Sequence, residues 1–280
     1  MTNRIVYADD DKRIEVESPL MRESLINPSL RAGTASPRER GVMPDLDIVS
    51  LGGHSIIDRG AKALMPLVDV IVAARARRKL LIGAGGGARV RHTLHIGLSL
   101  GLPVGALANL VANVDAQNAK LLAAVLAKHR GVMIEKEEFL KLPLVIETGM
   151  IPIMSAMPPF HFWEPAVGDR RIPLHAHDLG MFVLAEVTGA RSLIYVKDED
   201  GLYTNDPKKD PTARRIDTIS AREILEGEFP DLPIERAVIR ALVNAHHCRA
   251  IRLVNGLVPD QLRAALDGEH VGTLITAEAP

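Results

Sequence analysis

Residues 47–53 read Asp-Ile-Val-Ser-Leu-Gly-Gly, a run rich in β-branched residues that ends in two glycines. Apolar residues at 64, 67, 68, 71 and 72 then recur at helical spacing, which predicts a helix over about 58–76. The pattern repeats at once, because Lys-Leu-Leu-Ile at 79–82 runs into a glycine-rich turn at 83–87 and a second helix is predicted over 89–100. Strand, glycine turn and helix in this order predict a parallel sheet with helices on its faces.

The rest of the chain continues this alternation. Further strands are predicted at 132–134, 144–146, 151–154, 191–196, 251–254 and 271–276, and further helices at 114–129, 178–188, 221–225, 233–246 and 259–266. Residues 45–280 are therefore predicted to form one α/β domain, a three-layer α/β/α sandwich with a mainly parallel sheet. Residues 1–44 are polar and interrupted by prolines, so they are predicted to form an extended N-terminal arm.

Composition excludes several classes of protein. The 280 residues include 34 Lys and Arg against 35 Asp and Glu, a balance that gives no reason to expect a nucleic-acid surface. No apolar run approaches the roughly 20 residues of a membrane span, and the N-terminus lacks the apolar stretch of a secretory signal. Cys248 is the single cysteine, which excludes an intrachain disulfide. We predict a cytoplasmic protein that binds neither nucleic acid nor a membrane.

The two glycine turns predict an anion site. Each turn places backbone N–H groups beside a helix start, where the helix dipole adds partial positive charge. Neither turn ends in the Gly-Lys-Ser/Thr of the common phosphate loop, and close packing of a helix on a strand is the alternative explanation. Two such turns after two successive strands favour a phosphate-bearing ligand, with contacts from Gly52, Gly53, Gly85, Gly86 and Gly87.

A charged loop over 197–207 directly follows the predicted strand 191–196. Asp200 and Gly201 predict a turn, and Tyr203 adds an aromatic face beside the carboxylates. Such a loop is suited to bracketing a ribose and a base. A solvated hairpin is the alternative reading.

Several of these residues together resemble the amino-acid kinase family. The resemblance covers about 46–276 and rests on both glycine turns, on Asp178 at a predicted helix start and on the run Asp-Gly-Leu-Tyr-Thr-Asn-Asp-Pro at 200–207. It implies a three-layer α/β fold that binds ATP and Mg²⁺ in a cleft at the strand ends. It also implies nucleotide contacts from Lys197, Asp200, Gly201, Tyr203 and Asp206, and a catalytic role for Asp178 around the phosphates. An ordinary helix N-cap is the alternative role for Asp178.

Longer stretches resemble a branch of that family that stores molybdate or tungstate, and within it the second, beta-like type of subunit. These stretches are 53–60, 88–92, 115–118, 157–160, 196–204, 254–259 and 268–273. The resemblance implies a hexameric cage, built from one or two related subunit types, that encloses polyoxometalate clusters. It also implies that the arm 1–44 lies across neighbouring subunits.

Three histidines are candidate ligands for the stored metal. The resemblance places His161 in a loop where the other subunit type carries cluster-binding histidines, and His175 and His177 are candidates for the same cavity. An imidazole binds molybdenum directly or donates a hydrogen bond to an oxoanion. A packed or solvent-facing imidazole is the alternative for a solitary histidine.

Ser50 departs from the family pattern. Family members usually place a lysine two positions before the first glycine pair, and a hydroxyl cannot supply the same positive charge to a transferring phosphate. The resemblance therefore implies ATP binding and argues against phosphoryl transfer. Our first hypothesis is an ATP-binding oxoanion-storage subunit. The alternatives are a small-molecule kinase similar to uridylate kinase and a catalytically idle assembly subunit.

Overall fold

The structure of the chain, a computed structural model, describes residues 4–7, 14–17, 41–155, 171–173, 177–227, 229 and 231–278. The chain divides into two compact units, residues 1–40 and 41–280. In the first unit, strands β1 (Arg4–Tyr7) and β2 (Ile14–Glu17) pair antiparallel. Neither strand was predicted, because four residues are too few to show a periodicity.

The second unit contains the strands and helices of the predicted domain. Its strands are β3 (Leu46–Leu51), β4 (Lys79–Ala84), β5 (Gly131–Met133), β6 (Ile151–Ser155), β7 (Ser192–Lys197), β8 (Leu202–Tyr203), β9 (Arg215–Ile216), β10 (Thr218–Ser220), β11 (Ala250–Asn255) and β12 (Thr273–Thr276). Its helices are α1 (Ala61–Ala74), α2 (Ala88–Ser99), α3 (Val104–Leu126), α4 (Leu142–Glu147), α5 (His177–Thr188), α6 (Ala221–Glu226), α7 (Arg236–Leu242) and α8 (Pro259–Asp267). No helix of the described residues combines the length and apolarity that a bilayer span requires.

Eight strands form one sheet in the order β10-β12-β11-β7-β3-β4-β6-β5. The six strands from β11 to β5 run parallel, while β12 is antiparallel to β11 and β10 is parallel to β12. The mainly parallel sheet is thus confirmed. Strand β3 lies between β4 and β7, with Ser50 opposite Gly83 and Tyr195. The loops that follow these three strands therefore meet at one edge of the sheet.

Helices cover both faces of the sheet. In β3, Leu46 and Ile48 belong to a core cluster that includes Phe182 of α5, whereas Val49 and Leu51 belong to another cluster with residues of α1, α3 and α8. Side chains of one strand thus enter two separate cores, as expected for a sheet buried on both sides. The α/β/α arrangement of layers is confirmed.

The strand predicted at 144–146 is wrong. These residues belong to helix α4, with Pro143 in its first turn. Leu142 and Ile146, four positions apart, are buried, whereas Leu144 is 69% exposed. This burial has helical spacing, which three consecutive apolar residues cannot reveal on their own.

Two helix boundaries also differ from prediction. Helix α3 begins at Val104 rather than near 114, directly after Pro103, and its buried stripe already includes Leu107 and Val111. Helix α7 ends at Leu242 rather than near 246. The backbone N–H groups of 246–248 instead donate to the carboxylate of Glu186, which takes the place of helical carbonyl acceptors.

Candidate functional site

A cavity of about 480 Å³ opens where strands β3, β4 and β7 end. Most of the predicted site residues line it, namely Gly52, Gly53, Gly85, Gly86, Gly87, His177, Asp178, Lys197, Gly201, Tyr203 and Asp206. Ligands in parallel α/β sheets bind at this carboxyl edge of the strands. The topology therefore brings together turns that lie far apart in the sequence.

The two glycine turns touch each other. A Cβ on Gly53 would collide with the backbone N of Gly87 and would lie 2.6 Å from the carbonyl oxygen of Gly85. The N–H of Gly85 donates to Leu51, but the N–H groups of Gly53, Gly86 and Gly87 donate to no atom of the described residues. Close packing thus accounts for Gly53, and the unpaired amides beside it remain available to an anion.

A carboxylate already occupies the N-terminus of helix α2. Asp58 Oδ2 accepts a 2.7 Å hydrogen bond from the N–H of Ala88, and a Cβ on Gly87, which has a φ of 71°, would collide with the same carboxylate. His54 Nδ1 lies 3.6 Å from Asp58. An anion in the cavity therefore meets the amides of the glycine turns rather than the first N–H of α2.

Lys197 and Asp178 form a buried ion pair in the cavity wall. Lys197 Nζ lies 2.8 Å from both carboxylate oxygens of Asp178, and the two side chains are 14% and 5% exposed. The Tyr195 hydroxyl donates to the carbonyl oxygen of Asp178 at 2.7 Å. These contacts fix the start of α5 against the end of β7.

Glu235 lies beside this pair and comes from the loop before α7. Its Oε2 accepts a 3.0 Å hydrogen bond from the N–H of Leu179, while its own N–H donates to Asp178 at 3.3 Å. Burial, and then repulsion by the negative charge of Asp178, raise the pKa of Glu235 to about 7. The cavity therefore contains a carboxyl group that titrates near neutral pH.

His177 covers Ser50 at the inner end of the cavity. Its Nε2 lies 3.3 Å from Ser50 Oγ, and its Nδ1 lies 4.0 Å from Asp115 Oδ2. Burial lowers the pKa of His177 to about 4, so the imidazole is neutral at neutral pH. Burial also raises the pKa of Asp115 well above its ordinary value, and neither carboxylate oxygen has a hydrogen-bond partner among the described residues. A hydroxyl under a neutral ring thus stands where the family pattern has a lysine.

The charged loop after β7 is largely neutralised by ion pairs. Arg59 donates to Asp198 at 2.6 Å, Lys208 pairs with Glu199, and Lys209 lies 2.8 Å from Asp206. Asp200 is not among the described lining residues. Its carboxylate accepts hydrogen bonds from side-chain amides on β11 and α8 instead.

The metal-site histidines are only partly described. His161 and His175 lie outside the described residues, and His177 lines the cavity. In the described ranges, no three His, Cys, Asp or Glu side chains are placed to hold one metal ion. Two adjacent histidines precede Cys248; the backbone N–H groups of 246–248 donate to Glu186, and the Cys248 thiol donates to the carbonyl oxygen of Ala250.

Three lining residues had no role predicted from the sequence, namely Arg91, Asp115 and Glu235. Arg91 is exposed on α2 and makes no hydrogen bond or ion pair with the described residues. Arg91 and Asp115 lie within stretches of family resemblance, so a signal for them was present. Glu235 precedes a helix in an ordinary loop, and no local pattern distinguishes it.

Known proteins resemble the chain over most of its length. Residues 46–255 match the amino acid kinase family. The chain is 44% identical over 263 residues to the molybdenum storage protein subunit beta of Azotobacter vinelandii, a match that covers 94% of this chain and 97% of that protein. It is 29% identical over 243 residues to the uridylate kinase of Methanospirillum hungatei, a match that covers 84% of this chain and 95% of that protein.

Solved structures agree on the fold. The UMP kinase of Bacillus anthracis superimposes with a TM-score of 0.66 at 18% identity and covers 84% of this chain and 98% of that one. The uridylate kinase of Archaeoglobus fulgidus superimposes with a TM-score of 0.64 at 19% identity and covers 82% of this chain and 99% of that one. By the extent of the family match and the near full-length identity to a storage subunit, the chain belongs to the amino acid kinase family.

Proposed function

We propose that the chain is an ATP-binding subunit of an assembly that stores molybdate or tungstate. The observation that carries the proposal is the 44% identity spanning 97% of a molybdenum storage subunit, against 29% for the uridylate kinase of M. hungatei. In this proposal MgATP binds in the cavity at the ends of β3, β4 and β7, and the oxoanion is the stored cargo.

Unpaired amides support binding of the phosphates. The N–H groups of Gly53, Gly86 and Gly87 donate to no described atom, and backbone amides grouped at a turn bind phosphate oxygens well. Arg91 also lines the cavity and adds positive charge there, whereas the charge of Lys197 is balanced by Asp178. We assign the remaining nucleotide contacts to Gly52, Gly85, Gly201, Tyr203 and Asp206, of which Tyr203 offers an aromatic face to the base.

Carboxyl groups that have no lysine or arginine partner support binding of Mg²⁺ together with the nucleotide. Asp115, Asp231 and Glu235 line the cavity and form no ion pair with a lysine or arginine of the described residues. A bare polyphosphate would be repelled by such groups when they are ionised. Mg²⁺ binds through one or two carboxylates together with substrate phosphates, which reduces the repulsion.

Ser50 is the reason to propose nucleotide binding rather than phosphoryl transfer. Its hydroxyl carries no positive charge to offer a transferring phosphate, and it is buried with His177 Nε2 at 3.3 Å. We assign Asp178 a role in orienting Lys197 towards the phosphates. Kinase activity and an idle assembly role stay as alternatives.

The name of the storage relative supports the proposed partners. A protein called subunit beta works with another subunit type, and we propose that this chain joins related subunits in a cytoplasmic hexamer. We propose His161, His175 and His177 as ligands of the stored metal and residues 1–44 as an arm that reaches neighbouring subunits.

The test measures nucleotide and metal in the intact protein. Calorimetry with MgATP is expected to show binding, and protein purified from molybdate-supplemented cells is expected to contain many molybdenum atoms per chain. Arg91→Ala should weaken MgATP binding roughly tenfold, since a charge-assisted hydrogen bond contributes about 1.5–3 kcal/mol. Arg222→Ala is the matched control, because Arg222 is an exposed helical arginine outside the cavity.

The alternatives predict different results. Release of ADP that depends on an added acceptor would support a kinase. A defined oligomer with neither metal nor nucleotide would support the assembly role and refute the proposal.

A further inference from the structure

Asp200 faces away from the cavity that its neighbours line. Lys197, Glu199 and Gly201 line the cavity, whereas Asp200 is not among the described residues that line it. Its Oδ1 accepts hydrogen bonds from Gln261 Nε2 at 2.7 Å and from Asn255 Nδ2 at 3.1 Å. Asp200 therefore connects the charged loop to the start of α8 and the end of β11.

Both donors are themselves held in place. Gln261 Oε1 accepts the N–H of Asn255 at 3.0 Å, and Asn255 Oδ1 accepts the N–H of Leu257 at 2.9 Å. The N–H of Gly256 donates to the carbonyl oxygen of Lys197 at 2.7 Å. The oxygen of each amide thus has a partner other than Asp200, and this contact orients the amide so that its N–H groups point to the Asp200 carboxylate.

The residues after Asp200 are fixed by a second contact. Gly201 has a φ of 142°, and a Cβ there would collide with Thr273 Oγ1. The same hydroxyl oxygen accepts the N–H of Leu202 at 2.8 Å, and Thr273 is fully buried. The loop is thus anchored from behind on β12 as well.

Asp200 differs from the other carboxylates of its loop in the chemistry of its partners. Asp198, Glu199 and Asp206 each pair with a cation, whereas both described partners of Asp200 are neutral amides. Asp200 Oδ2 accepts no hydrogen bond from the described residues. The network therefore needs one acceptor oxygen at this position and makes no use of a negative charge.

We propose that Asp200 is a positioning residue, which holds Lys197, Tyr203 and Asp206 at the cavity by bonding to Asn255 and Gln261 and does not bind the nucleotide itself. This inference rests on the proposed function, because that function makes the ligand of the loop a nucleotide. It replaces the expectation that Asp200 contacts the nucleotide.

The test separates hydrogen bonding from charge. Asp200→Asn retains Oδ1 as an acceptor for both donors, Asp200→Ala removes it, and Gln261→Leu removes one donor from outside the cavity. Arg263→Ala is the control on α8, since Arg263 is an exposed residue that pairs with Asp260. Each full-length variant is titrated with MgATP by calorimetry, and hydrogen exchange is measured at the Leu202 N–H.

Asp200→Asn and Arg263→Ala are expected to keep the Kd for MgATP within about twofold of wild type, a change below 0.5 kcal/mol. Asp200→Ala and Gln261→Leu are expected to raise Kd about tenfold or more and to speed exchange at Leu202, with exchange in β3 unchanged.

Equal losses for Asp200→Asn and Asp200→Ala would overturn the inference, because they would show that the charge is needed. So would a Gln261→Leu variant with wild-type affinity and wild-type exchange. If the wild type binds no nucleotide, the proposed function fails, and the exchange data alone then decide whether Asp200 and Gln261 position the loop.

Discussion

At the scale of single residues, burial changes the charges that the cavity presents. Burial raises the pKa of Asp115 well above its ordinary value and that of Glu235 to about 7, and it lowers that of His177 to about 4. Asp178 keeps a cation, Lys197, at 2.8 Å. At neutral pH the inner wall therefore carries less charge than its composition suggests.

Glu235→Gln provides a pH-dependent test of this environment. The folded protein holds a proton on Glu235 up to a pKa of about 7, whereas the unfolded chain releases it near 4.5. The contribution of Glu235 to the free energy of unfolding is therefore complete below pH 4.5 and falls as pH rises to about 7. The wild type should lose about 3 kcal/mol relative to Glu235→Gln over this range, as measured by urea unfolding.

The comparison needs a background correction and a control. The lowered pKa of His177 makes stability rise with pH over about 4–6.5, and this effect cancels because both proteins contain His177. Glu226→Gln, at an exposed position in α6, should show no such trend relative to wild type. A wild-type minus Glu235→Gln difference that stays constant or rises with pH would contradict the assignment.

At the scale of elements, Asp58 joins the segment after β3 to helix α2. Its carboxylate accepts the N–H of Ala88, one of the N–H groups at the helix start that has no helical acceptor. Asp58→Ala is expected to lower the free energy of unfolding by about 1 kcal/mol, and Asp58→Asn should keep most of the stability. Denaturant unfolding measures both.

Asp69→Ala is the control for Asp58, since Asp69 is exposed on α1 and makes no ion pair or hydrogen bond with the described residues. Equal losses for Asp58→Ala and Asp69→Ala would show that the contact to Ala88 contributes nothing to stability.

Some strands and helices could be predicted from local sequence patterns, and others could not. Strands β3, β4, β7 and β11 were predictable because each is a buried apolar run followed by glycine or polar residues. Helix α4 was not predictable, because its six residues span less than two turns. The early start of α3 was missed because the apolar residues near Leu107 are separated by small residues that give a weak stripe.

At the scale of the whole molecule, the second unit contains an extensive hydrophobic core of its own. Its buried apolar residues run from Met43 to Ala277. Deletion of residues 1–40 is therefore expected to leave the Tm of the sheet unit within about 3 °C of wild type, which corresponds to roughly 1 kcal/mol. Scanning calorimetry checks this result.

The same deletion tests the proposed arm. If residues 1–44 reach across neighbouring subunits, the truncated chain should dissociate at a higher protein concentration than the full chain, as measured by light scattering. A large loss of Tm would show that the N-terminal residues belong to the fold of the sheet unit. An unchanged dissociation would refute the arm.

The sequence by itself determined the repeated strand–turn–helix unit, the parallel sheet and the two glycine turns, because periodicity and glycine positions are local properties of a chain. Only the tertiary structure decided that Lys197 pairs with Asp178, that Glu235 enters the cavity and that Asp200 turns away from it. These contacts join residues 19 to 61 positions apart. No local pattern encodes them, since they depend on how the strands are ordered and on which loops then meet.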